Sequence, residues 1–429
     1  MRVHVDFVDA TSERELIMPV RLDGIPPPAM RPAPPRVWLW FIFLLLSLAC
    51  SAGSTVLPHA LSSDASAFRF DGMALVAPVL VWGLLCGFRF AVASSSQCEA
   101  DGWNEAREQD LLARMRRGRR SQQVLAASLY TALREAGAGP DQQIAALESA
   151  QVARRSQLSR RVQTSLHSRL ADDIDEPLES LVAHTMKRLL DDLAPSLAAL
   201  PADTPLELLM TFDSGVSNEQ LQQLWREAWR ASGIRQTPVV VEGDGLATVD
   251  LRLDQRITDQ SVLMVVALQM ASSNPDGTAE VAVGLLLGNG LTQHSVTPIA
   301  CLHRPEQARG SEEEPVCNAF NQALDWVPLE ASSIARLWRT GIDEQRVTPI
   351  ASAMSGVLPR LERKDAVVDI DALLGQSGPA GAWLAIAAAT QAIQRGSGPQ
   401  FVVSGDLPAE AGIWCTVVAP VPSHRKRDF

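Results

Sequence analysis

The residues able to do chemistry in this 429-residue chain are few and scattered. Of six cysteines, Cys50 and Cys86 fall in apolar runs, and Cys98, Cys301, Cys317 and Cys415 lie far apart. None has the C-x-x-C spacing of a zinc or redox pair, and no disulfide framework is visible, which fits a reducing compartment. There is no P-loop lysine motif and no H-E-x-x-H. Ser377 follows Gly375 by two residues, but Pro379 stands where a G-x-S-x-G elbow needs glycine. Asp213-Ser214-Gly215, after an apolar run, offers a cap for the next helix or an anion site, and the cap is the simpler reading. His167 and His184 on separate helices, and His294 and His303 around a strand, read as surface or core histidines rather than ligands. Glu312, Glu313 and Glu314 read as a solvated loop. No metal or organic cofactor is expected.

Two apolar runs come before all of these groups. The span from Val37 to about Leu57 has no charged residue, and roughly 20 helical residues cross a ~30 Å hydrocarbon core. The span from Met73 to about Ala93 carries only Arg89, near its end, where the side chain can snorkel to the headgroups. Pro78 can kink that helix, and Trp38, Trp40 and Phe41 suit an interfacial belt. A cleaved signal peptide would begin close to Met1, whereas 36 residues precede the first run. The expectation is a two-helix transmembrane hairpin. Arg31 and Arg36 flank it on one side, and Arg107, Arg114, Arg116, Arg117, Arg119 and Arg120 follow it, whereas the connecting loop holds Arg69 with Asp64 and Asp71. Both termini are therefore expected in the cytoplasm, at a bacterial inner membrane. Arg114, Arg116, Arg117, Arg119 and Arg120 form either a lipid-facing basic cluster, with membrane lipids as partners, or a solvated helix face. A net charge of −11 argues against a nucleic-acid partner.

The rest of the chain must position whatever site exists. Residues 1–36 read as short cytoplasmic strands (alternation over Val3, Val5 and Phe7) followed by a Pro-rich linker, and residues 37–93 as the membrane hairpin. Residues 94–200 read as a mostly helical juxtamembrane region, with Leu158, Val162, Leu166 and Leu170 recurring every four residues and Leu178 opening a further helix. Residues 122–134 are open to either strand or helix. From 201 to 419, strands at 206–212, 238–242, 262–269, 279–287 and 296–302 alternate with helices at 218–232 and 245–257. Later, helices around 317–326, 348–361 and 382–394 alternate with strands at 333–338, 401–404 and 412–418, and 420–429 is a basic tail. This alternation predicts a layered α/β domain with a largely buried sheet.

The last stretch resembles the thiolase-like superfamily, the β-ketoacyl synthases in particular. Gly375-Gln376-Ser377-Gly378-Pro379-Ala380-Gly381 stands like the family's G-H-T-x-G-A-A-G turn, followed by the small-residue helix from Ala382 and by closing strands at Phe401 and Ile413. Ala279 to Leu287 is similar to the segment joining the two halves of a synthase, and Trp338-Arg339-Thr340-Gly341 falls where the H-G-T-G-T turn would be. The resemblance implies a thiolase-like fold over about 205–419 and a two-fold homodimer through a central strand. It also implies a site at Gly245, Arg339, Gln376 and Gly378. There the family uses a cysteine nucleophile and two histidines. Val241 to Leu246 contains no cysteine, Gln376 replaces one histidine, and none stands near Arg339.

These departures predict a protein that is not an enzyme: a non-catalytic, membrane-anchored scaffold or adaptor with unidentified protein partners, serving an envelope or secretion machine. The alternative is a membrane-anchored acyl-transfer enzyme or acyl-chain binder with relocated residues. It predicts an apolar tunnel reaching Gln376, with Cys301 or Cys415 beside it.

Overall fold

The computed structural model describes residues 22, 25–33, 36–61, 73–134, 140–160, 164–170, 176–292, 295–362, 366–405 and 412–422. The strands expected near Val3 and the tail beyond residue 422 lie outside these. The chain divides into two compact units, Met18–Arg116 and, among the described residues, everything from Arg117 onward.

The first unit is built on α1 (Val37–Leu61) and α2 (Met73–Gly118). Residues 76–118 form a helix long and apolar enough to cross a membrane, while the apolar helix Val37–Gly53 is shorter. Leu45, Leu84 and Phe88 are exposed on these helices. The Trp82 indole N–H donates to the Trp40 carbonyl at 2.7 Å, and Phe41 packs on the Trp82 ring, joining the two helices. The polar half of α2 holds the Pro-rich linker. Ala29 exchanges two hydrogen bonds with the Asn104 amide (2.8 and 3.2 Å), Arg107 donates to the Pro26 carbonyl, and Arg31 pairs with Asp101.

The second unit is an α/β domain around one large sheet. Its strands are β1 (Ser121–Tyr130), β4 (Leu206–Ser214), β5 (Pro238–Val240), β6 (Val262–Met270), β7 (Val281–Gly288), β8 (Ala300–His303), β10 (Arg336–Thr340), β11 (Val367–Asp369), β12 (Gln400–Gly405) and β13 (Ile413–Pro420). They lie in the order β11-β10-β12-β13-β8-β1-β7-β6-β4-β5, with β9 (Glu306–Gln307) on β13. This order contains a repeat. In the first half β4 pairs parallel with β5 and β6, β6 pairs antiparallel with β7, and β7 antiparallel with β1. In the second half β10 pairs parallel with β11 and β12, β12 antiparallel with β13, and β13 antiparallel with β8. The five strands of each half follow the same sequence order and the same directions, and the halves meet antiparallel at β1 and β8.

The helices repeat too. Helices α4 (Leu178–Ala199), α5 (Asn218–Ser232) and α6 (Gly245–Gln255) serve the first half, and α7 (Glu313–Asp325), α8 (Glu344–Val357) and α10 (Gly381–Gln394) the second. Short helices α3 (Pro140–Glu148) and α9 (Ile370–Leu373) complete the set. Strand alternation decides which helix covers which face. Leu263, Val265 and Ala267 of β6, with Val402 of β12, share a core with α6 and α10. The alternate residues Met264, Val266 and Leu268 pack against α4 and α5, while Phe401 and Val403 pack against α7 and α8. The result is helix, half-sheet, helix, half-sheet, helix. α10 is buried on nearly every side, as its run of alanine, leucine and isoleucine requires. α5 opens on Ser217 rather than on the Asp213-Ser214-Gly215 segment, with Ser217 and Gln220 forming a capping box.

Two readings change. Leu158 and Leu166 belong not to a helix but to a hairpin of β2 (Arg155–Leu158) and β3 (Thr164–His167), which also carries His167. Residues four apart share a face of a strand as well as of a helix, so that spacing alone does not separate them. Glu313 and Glu314 form the first turn of α7, where the helix dipole favours negative charge, rather than a loop.

Candidate functional site

The carboxyl ends of the parallel strands of both halves meet the turn at residues 375–381, the position where open α/β folds bind ligands. Gly375 and Gly378 have positive φ (106° and 49°), which lets the turn approach its neighbours. A Cβ on Gly375 would meet the Thr278 carbonyl, and one on Gly378 would overlap the Gln269 amide oxygen, with Asp213 Oδ2 at 3.9 Å. Gln269, at the end of β6, donates through Nε2 to the carbonyls of Ala279 (2.9 Å) and Gln376 (2.6 Å). Gln376 also takes the Ala279 N–H and gives its own N–H to Gly277. The turn is thus sewn to the loop before β7 by backbone bonds, and the Gln376 side chain is left exposed. The Ser377 hydroxyl and the Ser404 hydroxyl of β12 are buried without a hydrogen-bond partner among the described residues. Asp213 lies one residue before the end of β4, beside this turn, and the cap of α5 is Ser217 instead.

From the second half, Thr340 reaches Gly381 at the start of α10. Gly341, at φ 68°, lies against Gly405, with no room for a Cβ between the ends of β10 and β12. Asp371 holds this corner. Its carboxylate accepts the Thr340 hydroxyl at 3.0 Å and the Gly341 N–H at 2.6 Å. Burial nevertheless dominates and pushes its pKa up to about 6. That value suits a general acid or base at neutral pH, although its oxygens are engaged by the corner itself.

The expected site residues are therefore split. Gln376 and Gly378 belong to the turn. Arg339 is one residue from Thr340 but pairs with Asp369 across β10 and β11. Gly245 opens α6 at φ 45°, the place in the first half that the 375–381 turn occupies in the second.

Two further charged clusters were not visible in the sequence. Beside the turn, Arg160 and Glu280 form a buried ion pair at 3.1 Å, and Glu280 also accepts the Leu170 N–H at 3.2 Å. With His167, Ser272 and Thr278 they line a cavity of about 10 Å³, the room of one water. The second cluster receives the chain from α2. Arg304, almost wholly buried, pairs with Asp250 and Asp254 of α6, and Asp254 also takes a bidentate bond from Arg117. Arg120 lies near Asp254, Arg119 donates to the Asp325 carbonyl, and Gly118 packs on the Trp326 indole. The domain thus occupies Arg117, Arg119 and Arg120 of the expected lipid-facing cluster, and Arg114 pairs with Asp110 on its own helix. The Trp326 indole N–H points at Glu306 (3.4 Å), whose pKa burial raises to about 7, while burial lowers that of His303 to about 4. Asp250 and Asp254 stand four apart on one helix, the only hint the sequence offered.

Cys301 on β8 and Cys415 on β13 are buried, and burial pushes both thiols up, away from the reactive thiolate. Trp383 is wholly buried among the core residues of α10. Among the described residues no three His, Cys, Asp or Glu side chains are placed to hold a metal ion.

No protein-family model matches the sequence, and no curated protein matches it. Solved structures do. The ishigamide ketosynthase/chain length factor is similar at a TM-score of 0.49 and 16% identity, over 70% of this chain and all of that one (100%). The PfaC keto synthase-chain length factor is similar at 0.48 and 12%, over 71% of this chain, which spans 43% of that one. Human mitochondrial 3-ketoacyl-CoA thiolase is similar at 0.43 and 10%, over 71% of this chain and 99% of that one. The expectation that this chain is not an enzyme is corrected on these comparisons, because the structures it resembles are ketosynthases, thiolases and an acyltransferase.

Proposed function

We propose that this protein is a membrane-anchored platform whose cytoplasmic α/β domains pair about a two-fold axis and present a composite surface to a protein assembly of the bacterial inner membrane. In this reading α1 and α2 span the bilayer as a two-pass hairpin with both termini inside, and pairing brings two hairpins together. The observation that carries it is the bare edge of the sheet. Val239 and Val240 of β5 are 63% and 58% exposed, and among the described residues β5 ends the strand order with no strand on its outer side. Adjacent exposed valines on an open edge are what a second strand covers. The test is the mass of the full-length protein in nanodiscs by mass photometry. Two copies per disc are expected, falling to one with Val239→Lys and Val240→Lys together. Single copies at all concentrations for the unaltered chain would refute the pairing.

A second reading is favoured by the buried hydroxyls of Ser377 and Ser404, which have no hydrogen-bond partner among the described residues. It assigns acyl transfer from a thioester to the 375–381 turn. Mass spectrometry after incubation with acyl thioesters should then find an acyl group on the protein, lost in Ser377→Ala. An unmodified chain with intact thioester would remove this reading.

A further inference from the structure

The structure describes the chain from residue 22, and the Pro-rich linker that follows is held in a definite direction. Arg31 pairs with Asp101, the Ala29 N–H donates to Asn104, and the Pro27 and Pro26 carbonyls accept from Trp103 and Arg107. Read toward Met1, the linker therefore runs along α2 in the direction of its C-terminal end, from which the chain enters the α/β domain. Fully extended, residues 1–21 span up to ~70 Å. A domain of about 300 residues has a radius of gyration of about 20 Å, so its surface is within reach of this segment.

What the segment carries is a strand pattern. Val3, Val5 and Phe7 alternate with His4 and Asp6, the period of a strand with one apolar face. Such a strand needs a sheet edge to complete it. Among the described residues the two ends of the large sheet differ. At β11, Val368 is buried and Asp369 is tied to Arg339 and to the Ala372 N–H. At β5, Val239 and Val240 both stand exposed, and strand alternation puts them on opposite faces. Val241 turns its N–H inward to the Leu208 carbonyl at 2.9 Å, so Val240 turns its own outward. The β2–β3 hairpin is less open, since Gly277 and Asp276 already bond the Leu166 backbone.

We propose that residues 3–8 add to β5 as an outer strand in the unpaired chain, so that the protein's own N-terminal segment covers the edge until a second copy displaces it. The proposal rests on the pairing reading of the previous subsection for what displaces the segment, and not for the docking itself. A tethered segment acts at an effective concentration of order millimolar, so a weak intrinsic affinity suffices to cover the edge of a lone chain. Main-chain hydrogen bonds supply that affinity, and the valines of both strands add apolar burial. The segment thereby protects an open apolar edge in a chain that is made one copy at a time.

Photocrosslinking of the full-length protein, with Phe7→p-benzoylphenylalanine and in nanodiscs sorted for one copy, tests the docking. Irradiation is expected to join residue 7 to the peptide that holds Pro238–Val240 of the same chain, as read by mass spectrometry. Val3→Asp with Val5→Asp keeps the length of the segment and should abolish that adduct. No adduct, an adduct elsewhere on the chain, or one that survives in the variant would overturn the proposal. Displacement is read in detergent from the concentration dependence of mass. The Val3→Asp, Val5→Asp chain is expected to pair at least about threefold more tightly than the unaltered one, the gain when the segment covers the edge in two chains of three. Equal pairing of the two chains would overturn the displacement. If neither chain pairs at any concentration while the adduct still forms, the pairing reading fails and the docked segment stands, so the two failures are told apart.

Discussion

Replacing Gly378 by alanine tests the turn at the centre of the candidate site. Two costs are expected. An L-residue at φ 49° costs about 1 kcal/mol. The new Cβ would also overlap Gln269 Oε1, forcing that side chain aside and breaking its bonds to the Ala279 and Gln376 carbonyls. Two hydrogen bonds lost from a buried donor are worth about 1–3 kcal/mol together, so the substitution should destabilise the domain by about 2–4 kcal/mol. Gln269→Ala alone loses the same two bonds without the backbone cost, about 1–3 kcal/mol. Gly378→Ala made in that background has nothing left to displace and should add only the backbone cost. The double variant therefore falls short of the sum of the singles by about 2 kcal/mol, a coupling of the size double-mutant cycles resolve. Intrinsic-fluorescence melting of the detergent-solubilised full-length chain reads this as about 4 °C of non-additivity, at about 2 °C per kcal/mol for a domain of this size. Additive shifts would mean that Gln269 is not what Gly378 makes room for, and the account of the turn would fail.

The other predictions concern charge and packing. Burial raises Glu306 to about 7 and Asp371 to about 6, so the folded chain binds more protons than the unfolded one between about pH 4 and 7. That contribution to stability is complete below the unfolded pKa values and is lost as pH rises through the folded ones. His303, lowered to about 4, opposes it below pH 6.5 with one group against two. From these groups the melting temperature should fall between pH 5 and 7.5, and Glu306→Gln should flatten that slope; an unchanged slope would refute the assignment. Arg304→Met leaves Asp250 and Asp254 facing each other with the buried guanidinium gone, and should cost about 3–5 kcal/mol by the same melting assay. Gly118→Val, pressed on the Trp326 ring, should cost about 1–3 kcal/mol through overpacking, and a neutral result would refute that contact. In thiol titration of the folded protein, Cys415 and Cys301 should react only after denaturant is added.

The sequence alone determined whatever is local. An unbroken apolar run, a strand of Val, Leu and Met at 262–270 and a small-residue helix after a glycine turn each declare themselves within a few residues. The order of such segments was enough to suggest the layered fold. What only the tertiary structure decided is everything carried by pairing. The repeat of two five-strand halves has no visible sequence repeat, because alternation and burial constrain residue class and not identity. The hairpin at 155–167 was mistaken for helix because a spacing of four satisfies both periods. Asp371 looks like any aspartate until Thr340 and Gly341, thirty residues away, close over it. The same is true of Arg304 and Asp254, fifty residues apart, and of Arg160 and Glu280. Electrostatic partners act through space over a few ångströms, and no pattern along the chain records which distant residues the fold will bring within that range.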